Sequence, residues 1–165
     1  MSADDANIEK IVVKGQKIDR TLQETPASVT VITSQTVERE NLNDFYDVLA
    51  RTPNTSGTDG AGFNIRGIDA FNVTGGGSGG LASVYIDGAP VPYRMMQQGG
   101  FSTWDISQVE ILRGPQSTLQ GRNSLAGAVV MKTRDAMHEF DFKGRLGVGE
   151  YGTQEAAVAF GGSLI

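Results

Sequence analysis

Two segments near the C-terminal end of the sequence alternate apolar and polar residues with a period of two, and this pattern strongly constrains the fold. Each segment spans about ten residues, which is the length of a barrel strand that faces lipid on one side. The same alternation is typical of a hairpin in a soluble sheet, and these residues alone do not decide between the two. The apolar positions are Phe140, Phe142, Leu146 and Val148 in the first segment, and Ala156, Val158, Phe160 and Leu164 in the second, with a turn at residues 151–153 between them.

The upstream sequence does not supply the other strands of a barrel. Two strands cannot close a barrel, and an open sheet edge is not stable within lipid. A strand at residues 28–33 leads into a helix capped by Thr33 or Ser34, and Asn43 is predicted to cap a second helix that ends before Pro53. Further short strands are predicted at residues 63–67, 83–91, 108–114 and 128–133. The sequence therefore predicts an α+β domain followed by the beginning of another structure.

Composition excludes several classes of function. The net charge of −5 argues against nucleic acid as a partner, because binding to phosphates requires clustered lysine and arginine. The sequence has no cysteine, which excludes thiolate chemistry and disulfides, and His138 is its only histidine, which does not support a Ser–His triad or a histidine metal cluster. No apolar stretch approaches the roughly 20 residues of a membrane helix. The polar and acidic start of the chain shows no signal peptide.

The stretch VEILRGPQSTLQGRNSLAGAVVMKT, residues 109–133, is rich in glycine between two apolar runs. A phosphate-binding loop requires G-x-x-x-x-G-K-[ST], with a lysine that reaches the phosphates. Here Gly121 is the first glycine after Gly114, and Arg122 and Asn123 stand where lysine and Ser/Thr are needed. The dinucleotide fingerprint G-x-G-x-x-G is also absent, so this loop is not predicted to bind a nucleotide.

The same stretch resembles the signature of the plug domain of TonB-dependent outer-membrane receptors. TPASVTVIT, the two short helices, FNIRG and VYIDGAPV stand upstream in the order found in that family, and IEKIVV resembles its TonB box. The resemblance covers residues 8–135, and the alternating segments after it resemble the first barrel hairpin. Departures are Gln120, where an aromatic residue is common, residues 126–128 (AGA), which replace a glycine pair, and Met131, where Asn is frequent.

The resemblance implies a fold, a location and a set of partners. The expected fold is α+β, with a small mixed β-sheet, short helices and long loops, followed by a fragment of a transmembrane β-barrel. The expected divisions are a flexible N-terminus (1–7), a TonB box (8–15), a plug domain (16–136) and the first barrel strands (137–165). The plug would block a barrel of about 22 strands in the outer membrane of a Gram-negative bacterium. Its partners would be TonB on the periplasmic side, the barrel itself and a small-molecule iron chelate, with no cofactor, no metal site and no enzymatic activity.

The TonB box and the docking residues follow from the same resemblance. Glu9, Lys10, Ile11, Val12 and Val13 would add as a strand to the sheet edge of TonB. A strand that pairs within the domain's own sheet is the alternative.

Arg66 in NIRG and Arg113 in ILRG would meet carboxylates on the inner wall of the barrel, and Glu110 would join their network. Solvated strand ends are the alternative, because a buried charge without a partner is costly.

The ligand-binding candidates lie in the irregular loops at residues 69–80 and 92–104. In the second loop they are Tyr93, Arg94, Gln97, Gln98 and Phe101, with Trp104 beside them, and Arg94 would suit an anionic ferric siderophore. Ordinary loop or core residues are the alternative. The plug sequence does not distinguish a siderophore from cobalamin or a carbohydrate, or a transporter from a signal-transducing receptor. A small soluble nucleotide-binding enzyme is the remote alternative, since the sequence has no nucleophile–base pair, metal ligands or phosphate loop.

Overall fold

The structure, a computed structural model, describes residues 12–13, 20–21, 28–71, 80–92, 95–96, 101–115, 125–135 and 140–162. The chain forms two compact units, Met1–Thr133 and Arg134–Ile165. No helix in these described ranges is long and apolar enough to cross a membrane. The elements are β1 (Val12–Val13), β2 (Arg20–Thr21), β3 (Ser28–Thr33), α1 (Ser34–Glu40), α2 (Phe45–Arg51), β4 (Thr55–Thr58), β5 (Gly62–Ile65), β6 (Ile68–Asp69), β7 (Ala82–Ile86), β8 (Ala89–Pro90), β9 (Ile106–Arg113), β10 (Gly127–Thr133), β11 (Asp141–Val148) and β12 (Gln154–Gly161).

A five-stranded sheet in the order β3-β9-β10-β7-β8 is the centre of the first unit. Strand β10 runs antiparallel to β9 and parallel to β7, so the sheet is mixed. Strands β4, β5 and β6 form a separate three-stranded sheet, and β1 and β2 form a two-stranded one. The predicted α+β fold with a small mixed sheet and two short helices is confirmed.

Alternation along the central strands separates the two faces of the main sheet. Val109 and Ile111 of β9 lie beside Met131 and Val129 of β10, and all four belong to the main hydrophobic core. Val48 and Leu49 of α2 are fully buried in the same core. Leu112, at the alternate position of β9, is also buried but lies outside that cluster. The sheet therefore buries apolar residues on both of its faces.

The N-terminus of α2 is fixed by a capping box at Asp44. The Asp44 carboxylate accepts hydrogen bonds from the backbone N–H groups of Tyr46 (2.7 Å) and Asp47 (2.9 Å), and the Asp47 carboxylate accepts from the Asp44 N–H. The prediction of Asn43 as the cap is wrong by one residue. The N–H of Asn43 instead donates to Asp47 Oδ2 at 2.8 Å. The reason is that the reciprocal bonds require a carboxylate three residues after the cap, and only Asp44 has one.

Phe45, at the start of α2, is the centre of an aromatic cluster. Its ring contacts those of Tyr46, Phe63 and Phe101 edge to face, with centroid separations of 5.3, 5.3 and 6.5 Å. Edge-to-face contacts of this kind add to the stabilisation that comes from burying the rings. The cluster thus joins α2 to the three-stranded sheet and to the segment that precedes β9.

The strands in the described part of the second unit form an antiparallel hairpin. Strands β11 and β12 pair from Asp141↔Gly161 to Val148↔Gln154, and Phe142 lies opposite Phe160. The apolar face is exposed along its length, with Leu146 at 88% and Phe160 at 77%. Arg145 and Glu155 form an ion pair at 3.6 Å, from positions that alternate with the apolar ones. A hairpin with one apolar face and one charged face is consistent with a barrel fragment.

Candidate functional site

The described part of the predicted TonB box is strand β1. Val12 pairs with Thr21 and Val13 with Arg20, in an antiparallel two-stranded sheet. Glu9, Lys10 and Ile11 lie outside the described residues. In the part of the chain that the structure describes, β1 is separate from the five-stranded sheet and has β2 as its only strand neighbour. One edge of β1 therefore has no strand partner within those ranges, which is the geometry that strand addition requires.

Arg66 follows β5 in a left-handed backbone conformation, with φ of 55°. Its N–H donates to the carbonyl of Asn54 at 2.7 Å, and Asn54 also has positive φ. Its side chain lies beside Gly114, where a Cβ built on the glycine would be 3.7 Å from Arg66 Nη1. A bulky residue with positive φ is uncommon and is held by its surroundings. The turn at residues 53–54 thus fixes the backbone of Arg66 while its guanidinium is exposed.

Arg113, the last residue of β9, reaches the same turn from the main sheet. Its Nη1 donates to the carbonyl of Pro53 at 3.0 Å. Its Nε is buried and has no hydrogen-bond partner among the described residues. An N–H of a charged group that is buried without an acceptor is costly. Arg66 and Arg113, the arginine pair, therefore converge on one turn and retain unused donor capacity among the described residues, and their docking role stays a prediction.

Glu110 does not lie with the arginine pair. It is 2% exposed and stands three residues before Arg113 on a regular strand, so the two side chains point to opposite faces of the sheet. Its carboxylate accepts a hydrogen bond of 2.6 Å from Gln108 Nε2 on the same face. Glu110 and Arg113 thus lie on opposite faces of β9, and a role for Glu110 in docking to the barrel stays a prediction.

The second candidate ligand loop, residues 92–104, is described at residues 92, 95–96 and 101–104. Tyr93, Arg94, Gln97 and Gln98 lie outside the described residues. Phe101 is half-buried and packs against the hydrophobic core, and Trp104 is also half-buried. The Phe101 contact with Phe45 gives it a structural role, and its role in ligand binding stays a prediction.

Three described residues of this loop are hydrogen-bonded to residues 43–46, at the beginning of α2, which sequence reasoning did not find. The Tyr46 hydroxyl donates to the carbonyl of Met96 at 3.0 Å, and burial raises the pKa of Tyr46, so this hydroxyl stays protonated and able to donate. The N–H of Phe45 donates to the carbonyl of Phe101 at 2.9 Å, and that of Thr103 to Asn43 at 3.1 Å. The described residues of this loop are therefore hydrogen-bonded to the beginning of α2 and the residues just before it.

The described residues contain no group of three or more His, Cys, Asp or Glu side chains placed to hold a metal ion. Among those residues, the functional candidates are instead a free strand edge, two arginines with spare donors and an anchored loop. Each of these features suits recognition of another molecule.

A family model and two curated relatives match the chain. The model of the TonB-dependent receptor plug domain matches residues 21–128. The ferrioxamine B receptor of Salmonella typhimurium is 28% identical over 143 residues, which cover 86% of this chain and 20% of the receptor. The ferripyoverdine receptor of Pseudomonas aeruginosa is 27% identical over 152 residues, which cover 87% of this chain and 17% of the receptor. The chain thus spans about a fifth of the length of these relatives.

A solved structure shares the fold. The crystal structure of the ferripyoverdine receptor of the outer membrane of Pseudomonas aeruginosa, bound to ferripyoverdine, superposes with a TM-score of 0.78 at 22% identity. That match covers 94% of this chain and 20% of the receptor chain. The matched family is a receptor plug domain, and both relatives are receptors, not enzymes. The match over residues 21–128, together with the mixed sheet and two short helices, shows that the chain belongs to the TonB-dependent receptor plug domain family.

Proposed function

We propose that this chain is the plug of an outer-membrane receptor that takes up a ferric siderophore and is opened by TonB. The observation that carries the proposal is the match of residues 21–128 to the plug family. The names of the relatives, receptors for ferrioxamine B and ferripyoverdine, favour an iron chelate as the solute. Binding of the chelate would then be coupled to a pull on the N-terminal strand, which opens a path through the barrel.

The N-terminal strand is the proposed point of contact with TonB. Its short pairing, Val12–Val13 with Arg20–Thr21, contributes few ladder hydrogen bonds. Such a strand can exchange its partner at small cost, since a two-stranded hairpin is only marginally stable by itself. Main-chain hydrogen bonds to the sheet edge of TonB would replace those to β2.

The arginine pair is the proposed contact between the plug and the barrel. Arg66 presents an exposed guanidinium, and Arg113 holds a buried Nε without a partner among the described residues. Carboxylates on the inner wall would pair with the solvent-facing N–H groups of the two guanidinium groups, because arginine binds carboxylates with two parallel hydrogen bonds. Once the barrel excludes water, loss of one partner of such a pair costs roughly 3–5 kcal/mol.

Replacement of Arg66 or Arg113 with alanine in the full receptor is expected to loosen the plug, because a carboxylate of the barrel loses its partner. Vancomycin, which is too large for ordinary porins, should then enter the cells whether or not TonB is present. Arg51→Ala is the matched control, because Arg51 is paired with Glu40 on the surface of the domain. If vancomycin entry in both variants is no higher than in the Arg51→Ala control, the docking role is wrong.

The hairpin of β11 and β12 is the proposed beginning of the barrel. Its exposed apolar residues form a continuous face, with Phe142 opposite Phe160, which is typical of a surface that contacts lipid. The alternate face carries Lys143, Arg145 and Glu155, which suits the water-filled interior.

The proposed function is tested by growth of a strain that lacks this receptor and depends on iron from added chelates. The full receptor should restore growth on at least one ferric siderophore in a panel, and only in cells that contain TonB. Cobalamin and a carbohydrate polymer should be included as alternative solutes, each assayed by growth that depends on it. Growth on a ferric chelate without TonB, or on none of the chelates, would contradict the proposal.

A further inference from the structure

The last residue of the first unit, Thr133, is held by side chains from two other parts of the sheet. The Asp87 carboxylate accepts the backbone N–H of Thr133 through Oδ1 at 2.9 Å and its hydroxyl through Oδ2 at 2.7 Å. The Ser107 hydroxyl lies 3.0 Å from the carbonyl oxygens of both Lys132 and Thr133, and shares its proton between them. The N–H, hydroxyl and carbonyl of Thr133 are therefore all bonded to side chains.

These contacts replace ladder hydrogen bonds where the regular pairing of β10 ends. The register with β9 shifts between Lys132 and Thr133, so that Thr133 pairs with Ile106 and Ser107 is skipped. A bulge of this kind leaves one residue unpaired and weakens the ladder locally. On the other side of β10, pairing with β7 ends at Met131↔Ile86. Asp87 follows directly, and its N–H donates to the carbonyl of Met131 at 3.0 Å.

The backbone of the turn between β7 and β8 aims Asp87 at this point. Asp87 and Gly88 both have positive φ, at 49° and 81°, and lie between the paired residues Ile86 and Ala89. Two central residues with positive φ are the pattern of a type I′ hairpin turn, in which Asp-Gly is favoured. The hydrogen bonds from Thr133, with Lys132 nearby, lower the pKa of the Asp87 carboxyl, so it remains charged and accepting at neutral pH.

The topology places these contacts where a pull on the N-terminus would be resisted. Strands β3 and β10 both run antiparallel to β9, and therefore run in the same direction. Ser28, at the start of β3, and Gly127, at the start of β10, pair with the same residue, Arg113. Thr133 is at the opposite end of the sheet. If the chain is pulled at a point before Ser28 and held at a point after Thr133, the force acts parallel to the strands. The hydrogen bonds between the strands then resist that force together. The bulged end of β10 is the weak point of that arrangement.

We propose that Asp87 and Ser107 form a clasp on Thr133 that keeps β7, β9 and β10 together while TonB displaces the N-terminal part of the plug. This role rests on the proposed function, since it presumes a pull on that part. Asp87 and Ser107 are positioning residues, and they need not touch the ligand or TonB. The clasp limits how much of the plug unfolds in each transport cycle.

The test uses two single variants of the full receptor, Asp87→Asn and Ser107→Ala. Each is expressed in cells with and without TonB, and the cells are grown with a ferric chelate that the wild-type receptor takes up. Entry of vancomycin during uptake is expected to rise about fivefold in each variant, because loss of one hydrogen bond shifts an equilibrium by roughly that factor. Entry should remain at the wild-type level without TonB, and chelate affinity should not change. Ser56→Ala is the matched control: it removes a hydroxyl that accepts from Asn64 Nδ2 at 2.7 Å, away from the clasp.

Each outcome separates the clasp from a simpler structural role. A leak that occurs equally without TonB would mean that the substitutions only destabilise the plug, and would overturn the proposal. The clasp would be overturned if vancomycin entry in the two variants were no higher than in the Ser56→Ala control while the wild-type receptor transports the chelate. The proposed function would then remain intact. A wild-type receptor that shows no TonB-dependent uptake would instead overturn the proposed function, and the clasp with it.

Discussion

Val12→Pro in the full receptor is expected to reduce TonB-driven uptake to the level of cells without TonB, while binding of the ferric chelate survives. Proline has no N–H and cannot donate to a sheet ladder, so strand addition at Val12 would fail. Val12 lies in β1, whose present partner is β2 and whose other edge has no strand partner within the described residues. Uptake of iron-labelled chelate and its equilibrium binding to whole cells, measured side by side, check the prediction.

Val12→Ala is the control for this substitution. Alanine shortens the side chain and keeps the backbone N–H, so most of the uptake should remain. Wild-type uptake by the Val12→Pro receptor would remove β1 from the coupling mechanism. Loss of chelate binding in the same variant would show that the strand holds the plug together instead of recruiting TonB.

Gly127→Ala is expected to destabilise the first unit strongly, because the added Cβ would clash with backbone. Gly127 has φ of 154°, and a Cβ at this position would lie 2.3 Å from the carbonyl oxygen of Leu112 on the neighbouring strand. The Leu112 carbonyl belongs to the backbone and cannot move aside as a flexible side chain can. Strands β9 and β10 must therefore separate locally to make room for the Cβ. The expected loss in the free energy of unfolding is on the order of 3 kcal/mol, as a sum of strain and broken ladder bonds. Urea unfolding of the chain, followed by circular dichroism, measures it.

Gly88→Ala separates the clash from the effect of backbone conformation. Gly88 also has positive φ, at 81°, but nothing lies within 4 Å of its Cβ position. Its replacement should cost about 1–2 kcal/mol, the usual penalty for a left-handed residue with a side chain. If both variants lost the same free energy of unfolding, the close approach of the Leu112 carbonyl to Gly127 would make no contribution to the destabilisation.

The strands of the main sheet could be predicted because their signals are local. Alternation and β-branched residues mark β3, β9 and β10 within one or two residues of their observed ends. The Asp87-Gly88 dipeptide is a strong local signal for a hairpin turn, and both residues have the positive φ that such a turn requires. Gly114 and Gly127, in the glycine-rich stretch at residues 109–133, also have positive φ.

Two details of the site are encoded in the spacing of residues along the sequence. Asp44 and Asp47 have the spacing of a capping box, which identifies Asp44 as the cap in place of Asn43. Glu110 and Arg113 are separated by three positions on a strand, an odd number, which places them on opposite faces. Both follow from periodicity alone.

Other features depend on contacts between distant parts of the chain. The arginine pair meets at the turn that follows α2. The hydrogen bond from Arg113 to Pro53 joins residues that are 60 positions apart in the sequence. The bond between Tyr46 and Met96 spans 50 residues, and the bonds between Asp87 and Thr133 span 46. No local pattern encodes such pairs, since they exist only once the sheets and α2 have packed together.

The central claim, that this chain closes a barrel, is tested most directly by electrical conductance of the purified full receptor in a planar lipid bilayer. The intact receptor is expected to conduct almost no ions, and the receptor from which residues 28–133 have been deleted is expected to form an open channel. A deleted receptor that folds, inserts and remains as closed as the intact one would contradict the account.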